Sequence, residues 1–430
     1  ILNKLFLKIR VLRETVVTVW GSCHLVNIIM AEWMTLLMLL LAVHKGLGEP
    51  KCYLPEEDSL TPYKMFSEKL HKVMFEYGLK TNSSLVYSPL TMFYQLEAIG
   101  AMENENYVSI SIRNVLHLCK SFCYCPNNLT SLGSCYDNEN FTMNYQHIYY
   151  HADILTEDNV CVDVLILFER LDFSDSSATQ DVINNWYREA LSDDDVIYLP
   201  TPLDPWTRVL YMGALDHTPL KEIGYFSSNE MSFTNINGQQ VQVEFMGKRG
   251  QFSLVKSDDG RFMAIRDDMV GGRFSLIYVF PTGQAVDSYR HFHDLMKGKT
   301  LSEITELAFK TINTKKKNVL LPQLSLETRL NLKNVWSKFC VKSIFMRKDA
   351  FLPTFSEPFY TKEFPYTQYL HFQGDINNDI SVIQDGNHDI VINKPFMFFI
   401  GDNINQAPLL STMYLGLSDT PNKGVLNVGF

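Results

Sequence analysis

Glycine and proline are scarce in this chain, at 22 and 17 among 430 residues, which excludes collagen-like and low-complexity architectures. Charge is sparse too: 20% of residues are charged and 46% are hydrophobic, a balance that excludes a disordered polar tail and a multi-span membrane protein. Bases are outnumbered by acids 38 to 48, and residues 1–48 hold five bases and two acids, so the remainder is more acidic still. An acidic body argues against a nucleic acid partner. Catalytic motifs are missing as well. No Gly-x-Ser-x-Gly, no His-Glu-x-x-His, no phosphate-cradling glycine loop and no EF-hand pattern occurs, so no enzymatic activity and no cofactor are expected.

What is present points to export. The sequence opens on Ile1, its first methionine is Met30, and Trp33 to Val43 is an apolar run of signal-peptide size followed by Gly46 and Gly48. Residues 1–29 are read as an untranslated or mis-assigned leader, 30–48 as a cleaved signal peptide and 49–430 as one folded domain. A signal anchor from Val16 to Val43 would be long enough to span, but His24, Asn27 and Glu32 interrupt it. The mature protein is therefore expected to be secreted, extracellular and free of the membrane.

Past the leader, Cys52, Cys119, Cys123, Cys125, Cys135 and Cys161 are disulfide candidates in an oxidising compartment. A zinc site is disfavoured, because no histidine lies in the 119–135 cluster and its spacing matches no common pattern. Cys340, in an apolar segment read as helix, is expected as a buried thiol. Asn82, Asn128 and Asn140 head Asn-x-Ser/Thr sequons and are expected to carry glycans.

Apolar spacing predicts a helix from Thr61 to near Gly78, a strand at 85–87 and a helix stopping at Gly100. A polar surface excursion follows at 119–143, and 145–150 and 160–168 read as strand or short helix. A helix at 176–190, capped by Ser176 or Ser177, shows the stripe Val182, Ile183, Trp186, Tyr187 and Ala190. Later come strands at 241–246 and 274–280, with turns at Gly238, Gly250, Gly260 and Gly271-Gly272. Helices are expected at 284–297, 301–309 and 328–340, and strands at 318–321 and 396–400. His291 and His293 read as surface histidines and not as metal ligands, and Lys315–Lys317 as a solvated turn with a weaker polyanion-binding alternative.

In order, these fragments resemble a known family. Val86-Tyr87-Ser88-Pro89-Leu90-Thr91 precedes Ala98-Ile99-Gly100-Ala101, and Leu171-Asp172-Phe173 precedes Ile183-Asn184-Asn185-Trp186. Val241, Phe245-Met246, Gly250 and Phe252 follow, then Leu320-Leu321-Pro322-Gln323-Leu324-Ser325-Leu326-Glu327, Asn393-Lys394-Pro395-Phe396-Met397-Phe398, and Leu415-Gly416 before Pro421. Together they resemble the serpins, the serine protease inhibitor superfamily, over about residues 57–421. The resemblance implies an α+β fold, a single domain of three β-sheets with about nine helices, and an exposed reactive loop. In inhibitory members that loop, once cleaved, inserts as a strand into the central sheet and traps the protease.

The trapping machinery departs from the family pattern. Insertion needs small side chains at alternate hinge positions, because they enter a packed sheet. Here Asp379 stands at the position of the hinge Glu, and Ile380, Ser381, Val382 and Ile383 follow where the family carries Gly-Thr and alanines. Asp379 to Pro395 spans 16 positions, roughly ten fewer than the resemblance leads one to expect for an inserted strand and its return. The exposed loop, Gln384, Asp385, Gly386, Asn387 and His388, offers no Lys or Arg to a trypsin-like pocket and no large apolar residue to a chymotrypsin-like one; Val382 or Ile383 suits at most an elastase-like protease. Gly213-Ala214-Leu215-Asp216 stands where the family has an Asn and a later Trp, and the family's sheet-opening His aligns with Leu370, beside His371. The expectation is a non-inhibitory, monomeric serpin that binds an extracellular protein partner. The alternatives are a working inhibitor, whose partner is a serine protease, and a carrier of a small hydrophobic ligand.

Overall fold

The computed structural model describes residues 61–101, 143–151, 166–191, 207, 209–216, 224–269, 271–283, 288–296, 300–311, 314–342, 345, 365–372 and 389–417. All lie in the unit Leu54–Phe430. Helix α1 (Thr61–Thr81) leads through β1 (Leu85–Tyr87) to α2 (Pro89–Ala101). Strands β2 (Met143–His151) and β3 (Ile166–Leu171), helix α3 (Ser176–Leu191) and β4 (Val209–Asp216) follow. Next come β5 (Phe226–Thr234), β6 (Gln240–Lys256), β7 (Phe262–Asp268) and β8 (Phe274–Pro281), then α4 (Ser288–Leu295) and α5 (Thr300–Lys310). The chain ends through β9 (Thr314–Pro322), β10 (Leu324–Asn331), α6 (Leu332–Lys338), β11 (Pro365–Phe372), β12 (Ile390–Val391), β13 (Phe396–Asp402) and β14 (Ala407–Tyr414).

Among the described residues the strands form two hydrogen-bonded sheets. One runs β1-β14-β13-β8-β7-β6-β9-β12, with β5 also on β6; the other runs β10-β11-β4-β2-β3. Three sheets were expected. The smaller number follows from β6, whose first half pairs with β5 and whose last four residues pair with β7, while β9 spans its middle. One unbroken strand thus splices two sheets into one ladder.

The core is aromatic and aliphatic. Tyr63, Phe66, Leu70, Met74 and Tyr77 form the buried stripe of α1, at the three- and four-residue spacing of one helix face. Phe66 packs against Phe93 of α2 and Phe339 beyond α6, with ring centroids 5.4 and 5.5 Å away. Every residue of β8, β13 and β14 is buried, so these strands do not alternate; they are mostly apolar, with Ser275, Asp402, Ser411 and Thr412 as buried polar exceptions.

Several local expectations are corrected. Helix α1 continues past Gly78 to Thr81, because the stop is made by Asn82 in the left-handed region (φ 55°) and by the Ser83 N–H donating to the Gly78 carbonyl. Gly78 instead makes room for the Met413 side chain. Helix α3 is capped by Asp175, not Ser176 or Ser177: its carboxylate accepts from the Ala178 N–H at 3.0 Å. Val182 faces out at 37% exposure, while Thr179, Ile183, Asn184 and Tyr187 face in. Gly250 is no turn but lies inside β6, held on the β9 ladder opposite Lys317. Residues 328–331 belong to β10, not to a helix, since Leu324, Leu326, Thr328 and Leu330 are buried at period two and all eight positions pair with β11. The Lys315–Lys317 run is strand rather than turn. Cys340 is exposed, not buried; it sits just past α6 with φ 66°.

Candidate functional site

The five-stranded sheet has one weak line. Strand β11 pairs with β10 over eight positions, and β4 pairs with β2 over eight. Between β11 and β4, which run parallel, a single register pair is made, Tyr366 with Gly213. Separating these two strands therefore breaks fewer backbone hydrogen bonds than opening either neighbour. Register sets Leu370 opposite buried Leu326, and His371 opposite exposed Ser325.

The chain leaves this sheet at Phe372 and is next described at Asp389, where it joins the edge of the other sheet beside β9. Residues 373–388 lie outside the described residues, and with them Asp379, Ile380, Ser381, Val382, Ile383, Gln384, Asp385, Gly386, Asn387 and His388. This junction is anchored. The Asp389 carboxylate accepts from Lys317 Nζ at 2.8 Å and from the Asn318 N–H at 2.9 Å, and its own N–H donates to the Asn318 carbonyl. These hydrogen bonds, Lys317 first, hold the Asp389 carboxyl below its ordinary value. Ile390 and Val391 then pair in parallel with Val319 and Leu320. Further on, half-buried Lys394 donates to the Gly283 carbonyl, and burial lowers its pKa. This anchor was not found from sequence; an acid just before the Ile-Val pair, with lysines far away in the chain, is its only signal.

Beneath the sheets the polar groups are mostly paired. Ser88 donates to the Leu409 carbonyl and accepts from the Thr91 backbone N–H. Thr328 of β10 accepts from the Val86 N–H at 2.8 Å, tying the two sheets together. The amide of Gln95 is buried, with neither end hydrogen-bonded.

A cavity of about 420 Å³ opens between α1, α5 and the β13–β14 turn, lined by Ser67, His71, Thr305, Glu306, Phe399 and Gln406 among others. His71 is buried between Ser67 Oγ at 3.2 Å and the Tyr87 hydroxyl at 2.8 Å. Burial lowers its pKa to about 3, so the imidazole is neutral at physiological pH.

Of the remaining sequence candidates, Asn82 is exposed at the end of α1. Asn128, Asn140, Cys52, Cys119, Cys123, Cys125, Cys135 and Cys161 lie outside the described residues. His293 packs edge-on against Phe75. Among the described residues there is no cluster of potential metal ligands, and no helix is long and apolar enough to cross a membrane.

The described elements run β4, β5, β6, β7, β8, two helices, β9, β10, helix, β11 and β12 in chain order. A family profile described as Serpin (serine protease inhibitor) matches residues 76–414. The chain belongs to the serpin family. Solved structures similar to this serpin include native protease nexin-1 with heparin, at 15% identity and TM-score 0.70, covering 83% of this chain and 99% of that one. Uncleaved ovalbumin matches at 16% identity and TM-score 0.70, covering 82% and 98%. A serpin from the trematode Schistosoma haematobium matches at 18% and 0.65, covering 83% and 99%. No curated protein sequence gives a significant match. At these identities the structural likeness carries the fold, and the family is one of protease inhibitors rather than enzymes.

Proposed function

We propose that this serpin is a secreted glycoprotein that no longer traps proteases and acts by binding an extracellular protein. The observation that carries the reading is the chain between β11 and the Asp389 anchor. For a loop to enter the β4–β11 seam, alternate side chains must fit a packed interior, and Ile380, Val382 and Ile383 are β-branched where small residues are needed. Between Phe372 and Asp389 the chain has 16 residues, which must supply both an inserted strand and its return. Slow insertion lets a protease finish hydrolysis and leave. The weak seam alone does not make an inhibitor, because the seam only permits entry and the loop has to supply the strand. Cleaving the loop with an elastase-type protease and comparing melting before and after tests this: an unchanged melting temperature is expected, and a large rise contradicts it.

The cavity at His71 favours a second reading, carriage of a small apolar ligand. Its volume falls in the range of small-molecule pockets; Met65, Leu301, Phe309, Phe399 and Pro408 give it apolar walls, the neutral imidazole and hydroxyls a few polar contacts, and Lys64, Glu68, Glu303 and Glu306 a charged part of the lining. A ligand at a hundredfold excess over its Kd stabilises the fold by about 2.7 kcal/mol. A thermal-shift screen of small apolar compounds, repeated on His71→Leu, decides it: stabilisation lost in the variant supports carriage, and no stabilisation by any compound removes it.

A further inference from the structure

Asn82 and Ser84 are the first and third residues of a sequon, Asn82-Ser83-Ser84, and the fold treats them oppositely. Asn82 is exposed, in the left-handed region where it stops α1. Ser84 is 5% exposed, and its hydroxyl accepts from the Leu415 N–H at 3.0 Å, across 331 positions of chain. Ser83 between them is fixed at both its polar donors: the N–H donates to the Gly78 carbonyl and the hydroxyl to the Thr81 carbonyl. Directly after Ser84 the chain enters β1, whose Leu85, Val86 and Tyr87 pair with Met413, Thr412 and Ser411 of β14. The Val86 N–H is held besides by Thr328. Lifting the sequon out of this setting therefore means parting β1 from the last strand of the chain.

N-glycosylation needs both ends of a sequon in one transferase site, the amide as acceptor and the hydroxyl two residues on as recognition group. In the folded chain only the amide is on offer. We propose that Asn82 is a glycosylation site open only before β14 docks, and that the Ser84 hydroxyl serves twice, first in the transferase and then as the acceptor for Leu415. Leu415 is made 331 residues after Ser84, so the hydroxyl is free through most of synthesis. The transfer joins Asn82 Nδ2 to C1 of an oligosaccharide, displaces its polyprenyl diphosphate and releases one amide proton. Because Asn82 faces solvent, the fold closes over Ser84 with the sugar already outside. The inference rests on the reading of this chain as an exported glycoprotein, and adds which site is used and when.

The test uses the full chain secreted under tunicamycin, which carries no N-glycan, with a solubilised oligosaccharyltransferase and its lipid-linked donor. Peptide mass spectrometry reads Asn82 occupancy in the native chain and in the same chain diluted from urea into the reaction. Transfer to Asn82 is expected in the unfolded chain and about a thousandfold slower or more in the native one, since only the rare opened population can react. Ser84→Ala should abolish transfer to the unfolded chain and Ser84→Thr should keep it, a comparison that does not depend on either variant folding. In protein secreted without tunicamycin, Asn82 should be occupied. Equal rates in the native and unfolded chains overturn the proposal, because the hydroxyl is then not withheld. So does an Asn82 left bare in the unfolded chain and in the secreted protein beside an occupied Asn128 or Asn140, a result that leaves the glycoprotein reading standing. No glycan at any sequon of the secreted protein removes that reading and the proposal together.

Discussion

Lys248 reaches across from β6 to both oxygens of Asp267 on β7, at 2.8 and 2.7 Å, and the carboxylate also accepts from Tyr225, whose hydroxyl accepts from Tyr278. The Asp267 side chain is 3% exposed and that of Lys248 17%. Burial raises the Asp267 pKa above 3.8 and Lys248 opposes the rise. The folded state therefore takes up this proton at a higher pH than the unfolded chain, so acidification through the folded pKa toward 3.8 favours folding at this group. Removing the lysine strands a buried carboxylate. Lys248→Met should destabilise by about 3 kcal/mol at pH 7, and urea titrations repeated from pH 7 to 4.5 should show the deficit shrinking as Asp267 protonates; a deficit independent of pH contradicts the assignment. Thr328→Val keeps the shape but leaves the buried Val86 N–H unpaired, for an expected loss of about 1–3 kcal/mol in the same assay. Neither pair was legible in the sequence, since each joins residues on different strands and only the register brings them together. Cys340 was misjudged for a related reason: an apolar neighbourhood in sequence does not show that the helix ends two residues earlier and turns the thiol outward.

At the scale of elements, period-two and period-three-to-four patterns located most of the secondary structure, and the failures have physical causes. The end of β10, residues 328–331, was read as helix because Leu332, Val335, Trp336 and Phe339 carry helical spacing right up to the junction of the strand with a short helix. Gly250 was read as a turn because glycine weakens strands, yet pairing with β9 carries the ladder through it. The cap of α3 was missed by one residue, and Asp175→Ala should cost about 1 kcal/mol in thermal unfolding, with Ser177→Ala near neutral. The reverse order would restore the serine cap. The seam between β4 and β11 was invisible to local pattern, because it is defined by the registered pairs those strands fail to make. Hydrogen exchange should be faster for the seam-facing amides of β4 and β11 than for those shared with β2 and β10; uniform protection across the sheet would mean the seam is no weaker than its neighbours.

For the whole molecule, ordered short fragments from Val86 to Gly416 sufficed to recognise the serpin fold, since a fold is fixed by many weak signals spread along the chain. The proposed function rests on far less sequence: the few residues between Phe372 and Asp389, whose side-chain size and number are set against the steric demand of inserting a strand into the seam. Insertion is a steric demand that side-chain size addresses directly, whereas a partner is not legible in sequence, because a binding surface is assembled from separate strands. The direct measurement is incubation of the mature protein with trypsin-, chymotrypsin- and elastase-type proteases, followed by denaturing electrophoresis. Cleavage without any denaturant-resistant complex is the predicted result; a stable protease complex would show that the loop inserts despite Ile380 and its short span, and that this serpin is a working inhibitor.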